Sequence, residues 1–524
     1  MAGVVREIER KYQAADGADG ARAAAPPLPE LGVPGVHRVV DAGTVDLDAV
    51  YYDTEDQRLA ADGVTLRRRT GGEDAGWHLK LPVEPGVRDE VQAPPGRDAE
   101  VPRTLLSLVR SRLRGEPLVP TMRLRQERQR RRLLGPEGEL LVEVVRDRVS
   151  AERFGPSGGT AKWTETECEL AEGRDPVLLD RVEERLLAAG YTRAGHASKL
   201  ARALEETAFP AERKDKRAKS AKKHRKTQQP SLTAADVVLG YADEQVRALV
   251  ALDPAVRRDV PDSVHRMRVA TRRLRSCFRS YGKVLDRAVT GPLGDELKWL
   301  AAELGVDRDQ EVLAERLHTR VGELPRGLQL GPVRGRLRTF SHARRGGSRR
   351  RLIAVLDGRR YMELLTALHA LLERPPLLGK AAESPPDKVV AAAVRRDFDR
   401  LAGHIGEALA APPGETRDLA LHEARKAAKR TRYSAEAARA VFGRRAREYA
   451  VRMTALQDLL GEHQDSVVAR EALREIAVQA HAAGEPSFTY GVLYERECGL
   501  ARECERELPV LWRSVASEEH RRLG

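Results

Sequence analysis

The sequence predicts two domains of different class: an antiparallel β tunnel or barrel with accessory helices (α+β), then an all-α domain of two pseudo-symmetric helical bundles. Three observations carry this. Over residues 1–208 charged and apolar residues alternate with period two, as in strands with two distinct faces. Over residues 233–520 that alternation vanishes, and long Ala/Leu/Arg/Glu segments take the helical period. Between them, residues 209–232 carry the run ERKDKRAKSAKKHRK, which lacks apolar periodicity and reads as a basic flexible tether.

In chain order, strands are read at VREIERKY, VTLRRRT, WHLKLP, RDEVQA, LRQERQRRRLL, ELLVEVVRDRV and WTETECEL, several separated by the turn signals DTEDQRL, ADG, TGGEDAG and GPEG. Helical patches near 103–114 and 175–189 interrupt them, and the Ala/Pro-rich stretch 14–30 reads as a variable loop. In the second domain, Pro-rich breaks near 374–386 and 411–414 divide the helices. VHRMRVATRRLR at 264–275 recurs as LHEARKAAKRTR at 421–432, and LAAELGVDRDQEV at 300–312 as LQDLLGEHQDSVV at 456–468. Two motifs recurring in order, at offsets of 157 and 156 residues, indicate a duplication spanning about 233–375 and 387–520.

Composition narrows the function classes. Lys and Arg number 92 against 79 Asp and Glu, a net charge of +13, which points to an acidic partner: nucleic acid, anionic lipid or a phosphate polymer. Aromatics make up only 4 %, against the base-stacking modes of nucleic-acid recognition. Four cysteines, none in a CxxC pair, make neither a disulfide scaffold nor an obvious zinc site and read as reduced thiols. Met1 to Tyr12 is charged and alternating, without a signal-like apolar core, and no apolar run approaches the ~18 residues of a membrane span. A cytoplasmic location is the expectation.

Alternate side chains on a strand share a face. Glu7, Glu9 and Lys11 therefore project together, as do Arg67 and Arg69, His78 and Lys80, and Arg88 and Glu90. Arg128, Arg130 and Arg132 form another row, Glu143 and Asp147 another, and Glu165, Glu167 and Glu169 another. If the sheet closes, these rows line its lumen. Arg and Lys there would neutralise phosphates, and clustered Glu would hold a hard divalent cation. The competing reading is a solvent-facing sheet laced with cross-strand salt bridges.

The order of motifs is more specific. EIERK fits ExExK, and YYDTEDQRLAADGVTLRRR, WHLKLP, ETECEL and SKLAR follow it. Over residues 1–208 the chain resembles the CYTH superfamily, the triphosphate tunnel metalloenzymes. The resemblance implies an eight-stranded tunnel that binds a triphosphate group with Mg²⁺ or Mn²⁺. It implies metal ligation by Glu7, Glu9, Glu165, Glu167 and Glu169. Lys11 would touch phosphate or position the attacking water beside Glu9, and Arg67, Arg69, Lys80, Arg128, Arg130 and Lys199 would be triphosphate contacts. Inorganic triphosphatase, thiamine triphosphatase and adenylate cyclase are the activities it brings.

In the second domain, His265, Arg268, Arg272, Arg275 and Arg279 fall within about 80° of helix circumference. Met267, Leu274, Phe278, Tyr281 and Leu285 gather on another side. The stripe carries no acid, although like charges at this spacing cost a few tenths of a kcal/mol per pair. It recurs as His422, Arg425, Lys429 and Arg432, flanked by Lys426, against a small face of Ala424, Ala427, Ala428, Ala435 and Ala438. These motifs, with Leu304, Gly305 and Asp309 and then Leu460, Gly461 and Asp465, resemble the CHAD domain, the conserved-histidine α-helical domain. That resemblance implies two bundles about a pseudo-two-fold and a basic groove for inorganic polyphosphate, contacted by both stripes. The two stripe histidines sit among cations, which suits phosphate or structural hydrogen bonds better than metal. His463 replaces the Asp307 of the first copy and reads as incidental.

The combined expectation is metal-dependent hydrolysis of inorganic triphosphate or short polyphosphate in the tunnel. The helical domain would hold polymer near it or place the protein on polyphosphate granules. The rivals are a non-catalytic polyphosphate-binding scaffold, another CYTH activity, and DNA or RNA binding, for which no motif is present.

Overall fold

A computed structural model of the chain describes residues 3–14, 28–96, 100–155, 158–208, 232–345 and 348–517. Most of the expected tether, and residues 15–27 of the expected loop, lie outside the described residues. The chain divides into two compact units, 1–227 and 228–524, and each is taken by itself.

The first unit is a closed antiparallel barrel. Its strands are β1 (Gly3–Ala14), β2 (Arg38–Asp53), β3 (Thr65–Thr70), β4 (Gly76–Glu84), β5 (Val87–Ala93), β6 (Val119–Leu134), β7 (Leu140–Arg153) and β8 (Thr160–Leu170). Hydrogen bonding runs in the order β5-β4-β3-β2-β6-β7-β8-β1, and β1 closes the ring by pairing with β5. A short β9 (Tyr191–Arg193) extends the ladder of β1 at Tyr12–Ala14. The helices are α1 (Arg58–Ala61), α2 (Arg103–Leu113), α3 (Val177–Ala188) and α4 (Lys199–Glu206).

Here the apolar face of the alternation points outward, under the helices. Leu66, Trp77, Leu79 and Val91 pack beneath Leu105, Leu108 and Val109 of α2. Val142, Val144, Cys168 and Leu170 pack beneath Leu178, Leu179, Val182 and Leu186 of α3. Each such side chain contributes roughly 1.5–3 kcal/mol on burial. The charged face is therefore turned inward.

The long strand β2 was not read as a strand from the sequence. Its run RVVDAGTVDLDAVYYD holds four Asp and a Gly, all poor strand formers. Its alternation is broken where the register against β6 shifts between Asp41 and Thr44, at Gly43 with φ +79°. The pairing partners decide instead: Arg123 of β6 holds Asp48 with two short bonds of 2.9 and 2.5 Å.

The second unit is helical. It comprises α5 (Ala234–Arg257), α6 (Ser263–Ser280), α7 (Arg287–Glu303), α8 (Gly305–Gly322), α9 (Val333–Arg345), α10 (Ser348–Asp357), α11 (Arg359–Glu373), α12 (Gly379–Glu383), α13 (Pro386–Ala410), α14 (Glu415–Ala437), α15 (Arg439–Ala482) and α16 (Phe488–Val515). Thr233 and Asp236 form a capping box that starts α5. One apolar core joins both sequence repeats, taking in Met267, Leu274, Phe278 and Tyr281 from α6 and Ala424, Ala427, Ala428 and Ala435 from α14. A smaller cluster packs α8 and α9 against α15 and α16. No helix among the described residues is long and apolar enough to cross a membrane.

Candidate active site and basic cavity

The inward face of the barrel encloses a cavity of about 230 Å³. Strand alternation supplies its lining: Glu7, Glu9 and Lys11 face it from β1, while Ile8 and Tyr12 pack outward and Arg10 pairs with Asp180 and Glu183 of α3. The wall is polarised. Neighbouring strands β5, β1 and β8 contribute Glu90, Glu7, Glu9, Glu167 and Glu169. Strands β4, β3 and β6 contribute Lys80, Arg67, Arg69 and Arg128. Lys11 and Arg88, with Lys199 reaching in from α4 to Glu167, are the cations inside the acidic arc.

Cross-strand register sets the pairings. Glu9 stands directly opposite Glu169, and Lys11 opposite Glu167. Lys11 Nζ lies 2.7 Å from Glu167 Oε1 and 3.3 Å from Glu9 Oε1. Lys80 Nζ lies 2.5 Å from Glu7 Oε2 and 3.8 Å from Glu90 Oε2, and buried His78 holds Glu90 through Nδ1. Arg67 donates to the Tyr51 hydroxyl at 3.3 Å, and Arg69 pairs with Asp74.

Electrostatics splits the carboxylates. Burial pushes the Glu7 carboxyl up to about 8, with Lys80 opposing and Glu90 reinforcing the rise. Burial likewise raises Glu169, which also feels Glu9, Glu167 and Glu90. Against the cost of burial, Lys11 keeps Glu9 low and Lys80 and His78 keep Glu90 low. The acidic arc thus holds more carboxylate than its cations neutralise. Like charges placed directly opposite, as at Glu9 and Glu169, are unfavourable without a cation between them. Hard oxygen donors in this excess fit a divalent ion such as Mg²⁺ or Mn²⁺.

Two expected site residues are placed differently from the sequence expectation. Glu165 lies behind the lining: it accepts from Trp163 Nε1 at 2.5 Å, and Lys199 Nζ stands 3.0 Å from it. Oxygens of Asp147, Glu165 and Glu167 lie within 4.8 Å of one another, a spacing that could hold a cation. The Lys199 ammonium is already there, 3.0 Å from Asp147 and paired with Glu167, and Arg128 grips Asp147 with two bonds of 2.8 Å. Ser198 caps α4 by accepting from Ala201 N, which sets Lys199 at the first helical position, aimed into this triad. Arg130 is held by Glu143 at 3.1 Å and Glu73 at 3.5 Å and does not line the cavity. Sequence reasoning had put Glu90 and Arg88 on one face without giving either a role, and it missed Tyr51 and Asp74. Tyr51 lies on β2, the unread strand.

The second unit has a cavity of about 480 Å³ of another character. His265, Arg268 and Arg272 of α6 face it together with His422, Arg425, Lys426 and Lys429 of α14. Asp309 and Asp465 are its lining carboxylates. The duplication reappears as geometry. Arg268 clamps Asp309 at 2.7 and 3.1 Å, and its counterpart Arg425 lies 3.6 Å from Asp465. A Cβ on Gly305 would meet the Arg268 guanidinium at 3.0 Å, and one on Gly461 the Arg425 guanidinium at 3.5 Å. The glycines of the LG segments make room for these arginines.

Burial, then Arg272, Arg425 and Arg268, depress the Lys429 amine to about 6. Burial also lowers Arg272, with Arg268 and Arg425 adding to it. His422 Nδ1 lies 2.6 Å from Gln464 Oε1. Arg275 and Arg432, expected in the same stripes, lie outside the lining. Each sits seven residues past Arg268 or Arg425, about 10 Å along its helix axis. Arg432 instead lies over the Tyr433 ring and 3.7 Å from Glu436.

A CYTH domain is matched over residues 6–204 and a CHAD domain over 240–474. Two Mycobacterium tuberculosis proteins, named Uncharacterized protein MT2285 and Uncharacterized protein Rv2226, are each 39 % identical over 97 % of this chain and 96 % of their own length. The chain belongs to the CYTH–CHAD family. Solved structures similar to it include PptA from Streptomyces chartreusis, 19 % identical with a TM-score of 0.46 over 54 % of this chain and all of that one. The CHAD domain from the plant Ricinus communis is 24 % identical with a TM-score of 0.41 over 53 % of this chain and 92 % of that one. The CYTH assignment gives the barrel the phosphohydrolase or cyclase class, in which divalent metals are used.

Proposed function

We propose that the CYTH tunnel hydrolyses inorganic triphosphate or short polyphosphate, and that the CHAD domain binds polyphosphate through the cavity between α6 and α14. The observation that carries the first half is the polarised wall: an acidic arc on β5, β1 and β8 facing a basic arc on β4, β3 and β6. A phosphate chain has the charge to engage the basic arc, and a divalent cation has the charge to engage the acidic one. Glu7, Glu9 and Glu169, with Glu167 beside them, are the residues that would hold the cation. When bound, it would neutralise phosphate oxygens and favour ionisation of water.

The chain's own residues supply the rest. Arg67, Arg69, Lys80 and Arg128 bind and orient the phosphates as charge builds on their oxygens. Lys11, fixed between Glu9 and Glu167, holds water for in-line attack on the terminal phosphoryl group. In the CHAD domain, two duplicated cationic faces converge on one cavity with little acid between them, and a base-free polyanion suits that surface.

Triphosphate, long polyphosphate, thiamine triphosphate and ATP, each with Mg²⁺ or Mn²⁺, should be compared by phosphate and pyrophosphate release. Rapid turnover of triphosphate, reduced about a thousand-fold by Glu9→Gln with the fold intact, is the expected result. Wild-type turnover in Glu9→Gln would overturn the tunnel mechanism, and preference for a nucleotide with pyrophosphate release would replace hydrolysis by cyclisation.

A further inference from the structure

His463 is buried on α15 at 1 % exposure, and neither ring nitrogen makes a hydrogen bond. Nε2 stands 3.3 Å from Asp418 Oδ1 of α14 and 3.6 Å from Glu505 Oε1 of α16, without hydrogen-bond geometry to either. The outer oxygens of both carboxylates are taken. Arg470 Nη2 donates to Asp418 Oδ2 at 2.8 Å, and Arg417 Nη1 donates to Glu505 Oε2 at 2.8 Å. Each carboxylate is thereby turned so that its remaining oxygen faces the imidazole.

We propose that Asp418, His463 and Glu505 form a transition-metal site in the helical domain, separate from the basic cavity. One nitrogen and two oxygens lie within 4.8 Å of one another. Ligands about 2.1 Å from a tetrahedral ion are spaced about 3.4 Å apart, so the spacings of 3.3 and 3.6 Å around Nε2 already fit. Arg417 and Arg470 do for the carboxylates what outer hydrogen bonds do in metal sites: they fix orientation. The two guanidiniums also cancel the two carboxylate charges. The ion is therefore held by donor geometry rather than by net charge, and the nitrogen donor selects Zn²⁺ or Co²⁺ over Mg²⁺. A bound ion would tie α14, α15 and α16 together at one point.

The test uses the full-length protein. Zn²⁺ titrated in the presence of saturating Mg²⁺, which occupies the oxygen-rich tunnel, should bind one equivalent. Co²⁺ in its place should give the strong visible absorption of a low-coordinate ion. His463→Ala should weaken that equivalent at least about a hundred-fold, and Arg470→Met about ten-fold, while turnover of triphosphate is unchanged. A wild-type crystal soaked in Zn²⁺ and measured at the zinc edge needs no variant, and an anomalous peak between Nε2, Oδ1 and Oε1 is expected. An equivalent that survives His463→Ala, or a zinc-edge map without a peak there, would reduce the cluster to a buried ion pair and overturn the site.

Discussion

The tunnel and the basic cavity both gather arginine and lysine, yet they balance charge in opposite ways. In the tunnel nearly every cation has a carboxylate beside it: Lys11 with Glu167, Lys80 with Glu7, Arg128 with Asp147, Lys199 with three acids. In the cavity Arg268, Arg272, Arg425 and Lys429 share Asp309 and Asp465, while Arg316 and Lys426 are held by Glu462, Glu497 and Glu423. The first arrangement is satisfied before any ligand arrives, and carboxylates remain to serve chemistry. The second is frustrated until an anion enters, which suits binding and makes its charge state depend on the ligand.

Removing one cation from each region is the sharpest way to break the comparison. Lys199→Met strands Asp147, Glu165 and Glu167 in a buried setting and should lower stability by about 3 kcal/mol, read as a fall in the Tm of the first unit. Lys429→Met removes a buried amine from among three arginines and should leave the stability of the second unit unchanged or raise it by about 1 kcal/mol. Destabilisation by both substitutions alike would mean that the two regions do not differ in charge balance.

The next effect is on binding. Arg272→Glu with Lys429→Glu should weaken long polyphosphate binding about a hundred-fold or more, and wild-type affinity should itself fall steeply with salt. Triphosphate turnover should persist in the same double variant. Undiminished polyphosphate binding would place the polymer elsewhere.

Proton linkage gives opposite signs in the two regions. The Lys429 amine, depressed to about 6 from an ordinary value near 10.5, is largely neutral at pH 8 and regains its proton when an anion enters. Polyphosphate affinity should therefore rise as pH falls from 9 to 7, by up to about ten-fold per unit, with proton uptake measurable by calorimetry in two buffers. For folding, the unfolded chain holds that proton between pH 6 and 10.5, so this group adds stability as pH rises through the window. In the tunnel, Glu7 is raised to about 8, so a cation must displace its proton. Mg²⁺ affinity should strengthen as pH rises from 6 to 8.

The smallest effect is on substrate capture. Arg67→Ala should raise KM for triphosphate about ten-fold with a lesser change in kcat. An unchanged KM would remove Arg67 from the phosphate path.

How far the sequence could be read follows from which forces are local. Alternation is local, so Glu7, Glu9, Lys11, Arg67, Arg69, Lys80, Glu167 and Glu169 were assigned to faces that do line the cavity. The helical duplication is equally explicit, and it brought His265, Arg268 and Arg272 to the same cavity as their counterparts. What escaped depends on long-range pairing. β2 carries four Asp and a bulge and is a strand because β3 and β6 flank it. Glu165 shares the face of Glu167, but the Lys199 ammonium arriving from α4 claims it. Arg275 and Arg432 obey the helical period and lie beyond the cavity's end, a limit the period does not contain. His463 looked incidental because its partners, Asp418 and Glu505, are remote in the chain.

One feature of the barrel bears on how the protein is made. β1 is held by β5 at Gly3–Ile8, by β8 at Ile8–Tyr12 and by β9 at Tyr12–Ala14. The strand synthesised first thus takes its last partner from Tyr191–Arg193, and the Lys199 that closes the triad comes later still. On the ribosome, the segment bearing Glu7, Glu9 and Lys11 waits unpaired on one edge while most of the unit is translated, the long-range ordering that slows folding. A nascent chain stopped before α4 would lack the ammonium that offsets three converging acids. Completion of the first unit is thus also the completion of its internal charge balance.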